Sequence, residues 1–291
     1  MLNGVINIIK PPGMTSHDVV SVVRKLSNTR RVGHAGTLDP AAAGILPVFI
    51  GNATRFIEYF PDDKEYFAEI IFGCETDTCD DTGTEISRCE IPHIEPLLLQ
   101  NILKTFTGRI EQQPPIFSAI KVNGKKLYEY ARSGQDVIIK RRLVDISRIE
   151  LTGTDANIAR VIVNCSSGTY IRSLCRDVGR ALSIPSMMGF LLRSRVGVFS
   201  LANAVTMEQV AENIHELTTP VERLLELFLP KISLQHGDAV LFQDGRRLIT
   251  TMPIIGTCIV SDEKENFCGV AVVERGVVIA KKVVRSELLH N

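Results

Sequence analysis

The chain carries no surplus charge: 33 lysines and arginines balance 33 aspartates and glutamates. That balance speaks against a protein that coats nucleic acid indiscriminately, while leaving room for a local basic face. No apolar run is long enough to span a bilayer, the stretch 41–51 included. Met1 to Val5 lacks the basic region and apolar core of a secretory signal, so a cytoplasmic protein is expected. Seven cysteines make an odd count without a dense framework, which points to reduced thiols. The phosphate-cradling Gly-x-x-x-x-Gly-Lys-Ser/Thr, the dinucleotide Gly-x-Gly-x-x-Gly and the Gly-x-Ser-x-Gly elbow are all missing. Cys74, Cys79, Cys89 and His93 lack a paired Cys-x-x-Cys, and Asp77, Asp80 and Asp81 lack the register of a calcium loop. Neither cofactor nor metal is expected. Internal repeats and low-complexity tracts are also absent.

What remains is an ordinary soluble composition, 45% hydrophobic and 23% charged, over 291 residues, enough for two domains. The stretch Arg31 to Pro40, RVGHAGTLDP, places a histidine and a carboxylate five residues apart, with glycines at 33 and 36. The glycines allow close approach or positive φ, and Pro40 holds Asp39 out of the helical region. The apolar run Ile45 to Ile50 reads as a buried strand carrying that loop.

The other elements follow from local pattern. Gly4–Lys10 reads as a strand, and Ser16 is taken as the N-cap of a helix through Val19, Val20, Val23 and Leu26. Asn52 is taken to cap a brief helix containing Arg55 and Phe56. Lys64 to Gly73 reads as a strand, Asp77 to Gly83 as a solvated acidic turn, and Pro96 to Phe106 as a helix. Asn123-Gly124 marks a tight hairpin before a helix at Leu127 to Arg132. Strands are expected near Val137–Ile139, Val144–Leu151, Ala159–Cys165 and Leu191–Phe199. The stretch Ser166 to Arg172 is expected to lead into a helix that runs to about Leu182, and an interrupted helix is expected from Met207 to Leu227. Strands interleaved with helices in no strict alternation indicate an α+β catalytic domain over 1–229. Beyond Pro230, short β patterns at Ala239–Phe242, Gly256–Ser261, Cys268–Val273 and Val277–Val284 describe a small β-barrel-like module over 230–291.

Five motifs occur in order: Lys10-Pro11-x-Gly13-x-Thr15-Ser16, Gly33 to Pro40, Lys64-x-Tyr66, Pro115-x-x-Ser118-Ala119-x-Lys121, and Gly168 to Arg172. Together they resemble the TruB family of tRNA pseudouridine synthases from residue 3 to about 200, and the tail resembles the appended PUA RNA-binding module. The resemblance implies a mixed-sheet catalytic domain that isomerises the T-loop uridine, position 55 in tRNA convention, without metal or redox cofactor. It implies that Asp39 is the catalytic carboxylate, Arg172 its ion-pair partner and Tyr66 the ring that stacks on the target base. Tyr170 and Leu192 would line the base pocket, and His34 would enter the RNA loop to support the flipped-out base. Lys10 would lie behind the active loop or contact phosphate, with Lys64 beside Tyr66. The segment 118–142, with Lys121, Lys125, Arg132 and Arg141, resembles an insertion that closes over the T-arm stem-loop. The expected partner is tRNA alone, recognised by shape and phosphate contacts, with the enzyme a monomer and no obligatory protein partner. Two rival readings are a guide-RNA-dependent synthase subunit and a non-catalytic RNA-binding or chaperone protein. Removal of everything after Leu229 is expected to weaken tRNA affinity more than it slows chemistry.

Overall fold

The computed structural model describes residues 2–285. Nine strands build one mixed sheet: β1 (Gly4–Lys10), β2 (Val32–His34), β3 (Ala43–Ile50), β4 (Lys64–Phe72), β5 (Gly108–Gln112), β6 (Arg142–Asp155), β7 (Ile158–Cys165), β8 (Ser186–Val196) and β9 (Phe199–Ser200). Their spatial order is β1-β3-β8-β4-β7-β6-β5, with β2 on β3 and β9 on β8; only β3 and β8 run parallel.

β3 is a near-continuous apolar run because both its faces are covered. Ile45 and Phe49 enter one core, while Leu46, Val48 and Ile50 enter another under α1 (Ser16–Leu26) and α5 (Met207–Leu217). β4 instead alternates strictly, so Lys64, Tyr66, Ala68, Ile70 and Phe72 share one buried face. That face packs against α2 (Pro96–Thr105) and α4 (Ile171–Ala181) through Leu99, Leu103, Leu174 and Val178.

The Asn123-Gly124 hairpin forms, with φ of +50° and +82° at its two turn residues, and leads into α3 (Leu127–Arg132). Three other expectations change. The N-cap of α1 is Thr15, whose hydroxyl accepts from the Asp18 N–H at 3.0 Å while the Asp18 carboxylate accepts from the Thr15 N–H. Asn52 caps nothing; its amide oxygen takes a bond from Arg31, and the 3₁₀ segment Gly51–Tyr59 starts without a side-chain cap. Val137–Ile139 finds no partner strand.

A second sheet has the order β10-β12-β13-β14-β11, from β10 (Lys231–Leu234), β11 (Leu248–Ile249), β12 (Gly256–Asp262), β13 (Phe267–Glu274) and β14 (Val277–Val283). The expected strand at Ala239–Phe242 is part of a helix, α6 (His236–Gln243), whose Ala239 and Phe242 lie three residues apart on its buried side. This sheet shares a core with the first: Ile259 and Val270 pack with Phe49, Phe56 and Phe60, and Phe267 meets Phe56 at 5.4 Å between ring centres. Among the described residues no helix is long and apolar enough to cross a membrane, and no group of His, Cys, Asp or Glu could hold a metal ion.

Candidate active site

Three elements converge on one cavity of about 660 Å³: the 36–41 loop, the start of β4 and the start of α4. Ser16 fixes the loop from α1. It is the first residue of that helix, and its hydroxyl accepts from the Leu38 N–H at 2.9 Å and donates to the Leu38 carbonyl at 3.2 Å. Gly168, at φ +84°, turns the chain into α4. Gln112 then fixes Tyr170 by accepting from its N–H at 2.8 Å and donating to its carbonyl at 3.0 Å. The next turn of backbone brings Arg172 over the cavity.

Arg172 and Asp39 form a two-pronged pair across 133 positions of sequence. Nε donates to Oδ2 at 2.9 Å and Nη2 to Oδ1 at 3.2 Å. The guanidinium is buried, whereas the Asp39 side chain is 37% exposed to the cavity, so the carboxylate is held from behind and open in front. The remaining Arg172 donors reach the carbonyls of Thr78 and Phe117, both at 3.0 Å. A second carboxylate, Asp80, lies 3.6 Å from Nε and is itself tied by the hydroxyls of Thr78 and Thr82. The Asp77–Gly83 turn is therefore not a solvated acidic run: Asp80 is buried against the cation.

Tyr66, Lys64 and Tyr170 line the same cavity, as do Tyr128 and Arg132 from the hairpin-helix insertion. Burial pushes the phenols of Tyr66 and Tyr170 above the ordinary tyrosine range, so both are neutral. Lys64 is buried with its ammonium on the Asp62 carbonyl, and burial lowers its pKa. Arg132 and Lys126 flank the Tyr128 ring at 5.4 and 5.3 Å.

Other expected residues lie elsewhere. Leu191, not Leu192, faces the cavity. In β8 the Tyr66 side of the sheet carries Leu191 and Arg193, and Leu192 points to the opposite face. Lys10 is fully buried, and its ammonium donates to the carbonyls of Pro11, Met14 and Pro40; it cannot reach a phosphate. Burial lowers its pKa to about 8 against the upward pull of Asp39. His34 sits on β2 opposite Val48, half-buried and off the cavity wall, with burial lowering its pKa. Lys125 bonds Ser133 and Gln135 within the insertion, while Lys121 and Arg141 stand exposed outside the cavity.

Residues 24–171 match the family model of the TruB pseudouridylate synthase N-terminal domain, and residues 172–231 match that of the tRNA pseudouridylate synthase B C-terminal domain. The tRNA pseudouridine synthase B of Caldanaerobacter subterraneus subsp. tengcongensis is 40% identical over 285 residues, covering 97% of this chain and 99% of that protein. The chain belongs to the TruB family. Another TruB relative, the tRNA pseudouridine synthase B of Heliobacterium modesticaldum, is 45% identical over 232 residues, 78% of this chain and 76% of that one. Among solved structures, a chain of the Cbf5-Nop10-Gar1 complex superposes with a TM-score of 0.73 at 25% identity, covering 97% of this chain and 84% of that one. The superposition takes in both sheets.

Proposed function

We propose that this chain isomerises uridine 55 of the tRNA T-loop to pseudouridine, with Asp39 as the reacting carboxylate. The observation that carries the reading is the Asp39–Arg172 pair at the base of a cavity walled by a neutral tyrosine ring. The reaction breaks the bond between ribose C1′ and N1 of the base and forms one between C1′ and C5. The C5 proton leaves and N1 gains one, so no net redox change occurs. A carboxylate serves this by adding to the nucleoside or by taking a ribose proton, and both routes need it ionised and aimed. Arg172 aims it.

The target base must leave the stacked loop to reach Asp39. Tyr66 offers it a flat face, and Leu191 an apolar contact. Tyr128 and Arg132 place the 118–142 insertion at the mouth, where a basic and aromatic surface suits a folded stem-loop. Residues 1–229 would carry the chemistry and 230–291 would act as the RNA-binding module. A relative named tRNA pseudouridine synthase B that matches nearly end to end favours an enzyme that needs no protein partner.

The test is a bare T-arm hairpin incubated with purified protein. Wild-type protein is expected to convert the uridine, and Asp39→Asn to bind the hairpin with unchanged affinity and form no product. Product from Asp39→Asn would refute the role of Asp39; no conversion by wild type would favour a guide-dependent or non-catalytic protein.

A further inference from the structure

The five successive carbonyls from Gly36 to Pro40, around Asp39, all accept hydrogen bonds. Those of Gly36 and Thr37 accept from Arg193 at 3.0 and 3.2 Å, and that of Leu38 from Ser16. The Asp39 carbonyl accepts from the Ala42 N–H, and that of Pro40 from Lys10 and the Gly13 N–H. Arg193 supplies two of these and a third to the Ile45 carbonyl at 2.8 Å, so it ties the loop to the strand that follows it. It is the largest fully buried side chain of the described residues and forms no ion pair among them. A buried cation without a counter-ion is a poor way to stabilise a core. Two of its three carbonyl bonds go to the loop that carries Asp39.

The strands place it there. β8 sets Arg193 directly opposite Tyr66 of β4, so the two side chains stand side by side on one face of the sheet. On its other side Arg193 pairs with Gly44 of β3, where a Cβ would lie 2.2 Å from the Arg193 carbonyl oxygen. Only a glycine lets β8 come close enough for the guanidinium to reach under the loop. A lysine could not replace it, because one ammonium cannot span the planar fork of Gly36, Thr37 and Ile45 acceptors.

We propose that Arg193 is a positioning residue for the isomerisation, holding the Gly36–Thr37 backbone and the Tyr66 ring in one register so that Asp39 and the stacked base meet at a fixed separation. The inference rests on the roles given to Asp39 and Tyr66 above. It acts through them and does not touch substrate.

The experiment measures single-turnover pseudouridine formation on the T-arm hairpin at saturating enzyme, with hairpin affinity and binding stoichiometry alongside. Stoichiometry gives the folded fraction, so each rate is per folded molecule. Arg193→Lys is expected to slow the chemical step on the order of 10²-fold, the cost of misplacing a reacting group by about 1 Å, with affinity unchanged. Arg193→Met should be slower still. Val196→Ala, on the same strand but in the other core, should lower the melting temperature and leave the rate alone. Tyr66→Phe should slow wild type yet add little in the Arg193→Lys background, as coupled neighbours do. The proposal falls if Arg193→Lys keeps the wild-type rate, cannot bind the hairpin, slows no more than Val196→Ala, or combines with Tyr66→Phe additively. Inactive wild-type protein would instead remove the Asp39 reading, and this role with it.

Discussion

A single guanidinium at Arg172 answers to two carboxylates, and that arrangement sets what each can do. Asp39 faces the cavity; Asp80 lies behind, fixed by Thr78 and Thr82, and keeps Arg172 from swinging toward Asp39 alone. Asp80→Asn can keep one oxygen for the Thr78 and Thr82 hydroxyls, which share Oδ1, but it then puts an NH₂ group where Oδ2 faces the guanidinium, and the two donors repel. We expect a loss of about 1–3 kcal/mol in stability and a pseudouridine rate down at least about tenfold, a size typical of misaligned catalytic groups. Denaturant titration and the hairpin assay measure the two, and a rate equal to wild type would show that Asp80 only braces the fold. Asp80 was illegible in the sequence because a carboxylate in an acidic turn looks solvated until a distant arginine is folded onto it. The Leu192 assignment failed for a different reason. It came from the family resemblance and is displaced by one residue, which in a strand is the opposite face; β8 is irregular between Met188 and Leu191 and between Arg193 and Arg195, so local alternation gives no means to correct it.

The elements were most legible where their pattern was local. The β4 alternation, the Asn-Gly hairpin and the apolar β3 run each declare their geometry within ten residues. The α6 segment does not, since four successive apolar residues suit a short strand as well as one side of a helix. At α1 the neighbouring residues Thr15 and Ser16 divide two tasks that the sequence gives no means to separate. Thr15 closes the helix, so Thr15→Ala should cost about 1 kcal/mol of stability and leave the rate intact. Ser16 binds both backbone groups of Leu38, one residue before Asp39. Ser16→Ala should therefore slow pseudouridine formation more than its loss of stability explains. Urea midpoints and single-turnover rates for the two variants make the comparison; equal effects on rate would mean the helix as a whole, not Ser16, steadies the loop.

At the scale of the molecule, the composition shift at Pro230 marks where the second sheet begins, but not how it is attached. The strands β12 and β13 contribute Ile259 and Val270 to the core that also holds Phe49, Phe56, Phe60 and Phe199. Arg55 donates to the Val283 carbonyl at 3.0 Å, and Lys282 pairs with Glu58 at 2.9 Å, so the 3₁₀ segment is clamped to β14 as well. Cutting the chain after Leu229 would bare that core, so lost tRNA affinity in such a truncation would not isolate RNA binding. A substitution at the junction is the cleaner probe. Phe56 is fully buried and touches Phe267 and Tyr59, and Phe56→Ala should cost about 3–5 kcal/mol. Because the two sheets share that core, calorimetry should show one endotherm moved to lower temperature, with protection from hydrogen exchange lost in both sheets together. Two separate endotherms, or loss of protection confined to 231–283, would mean that the sheets unfold independently and that the shared aromatic core contributes little to joining them.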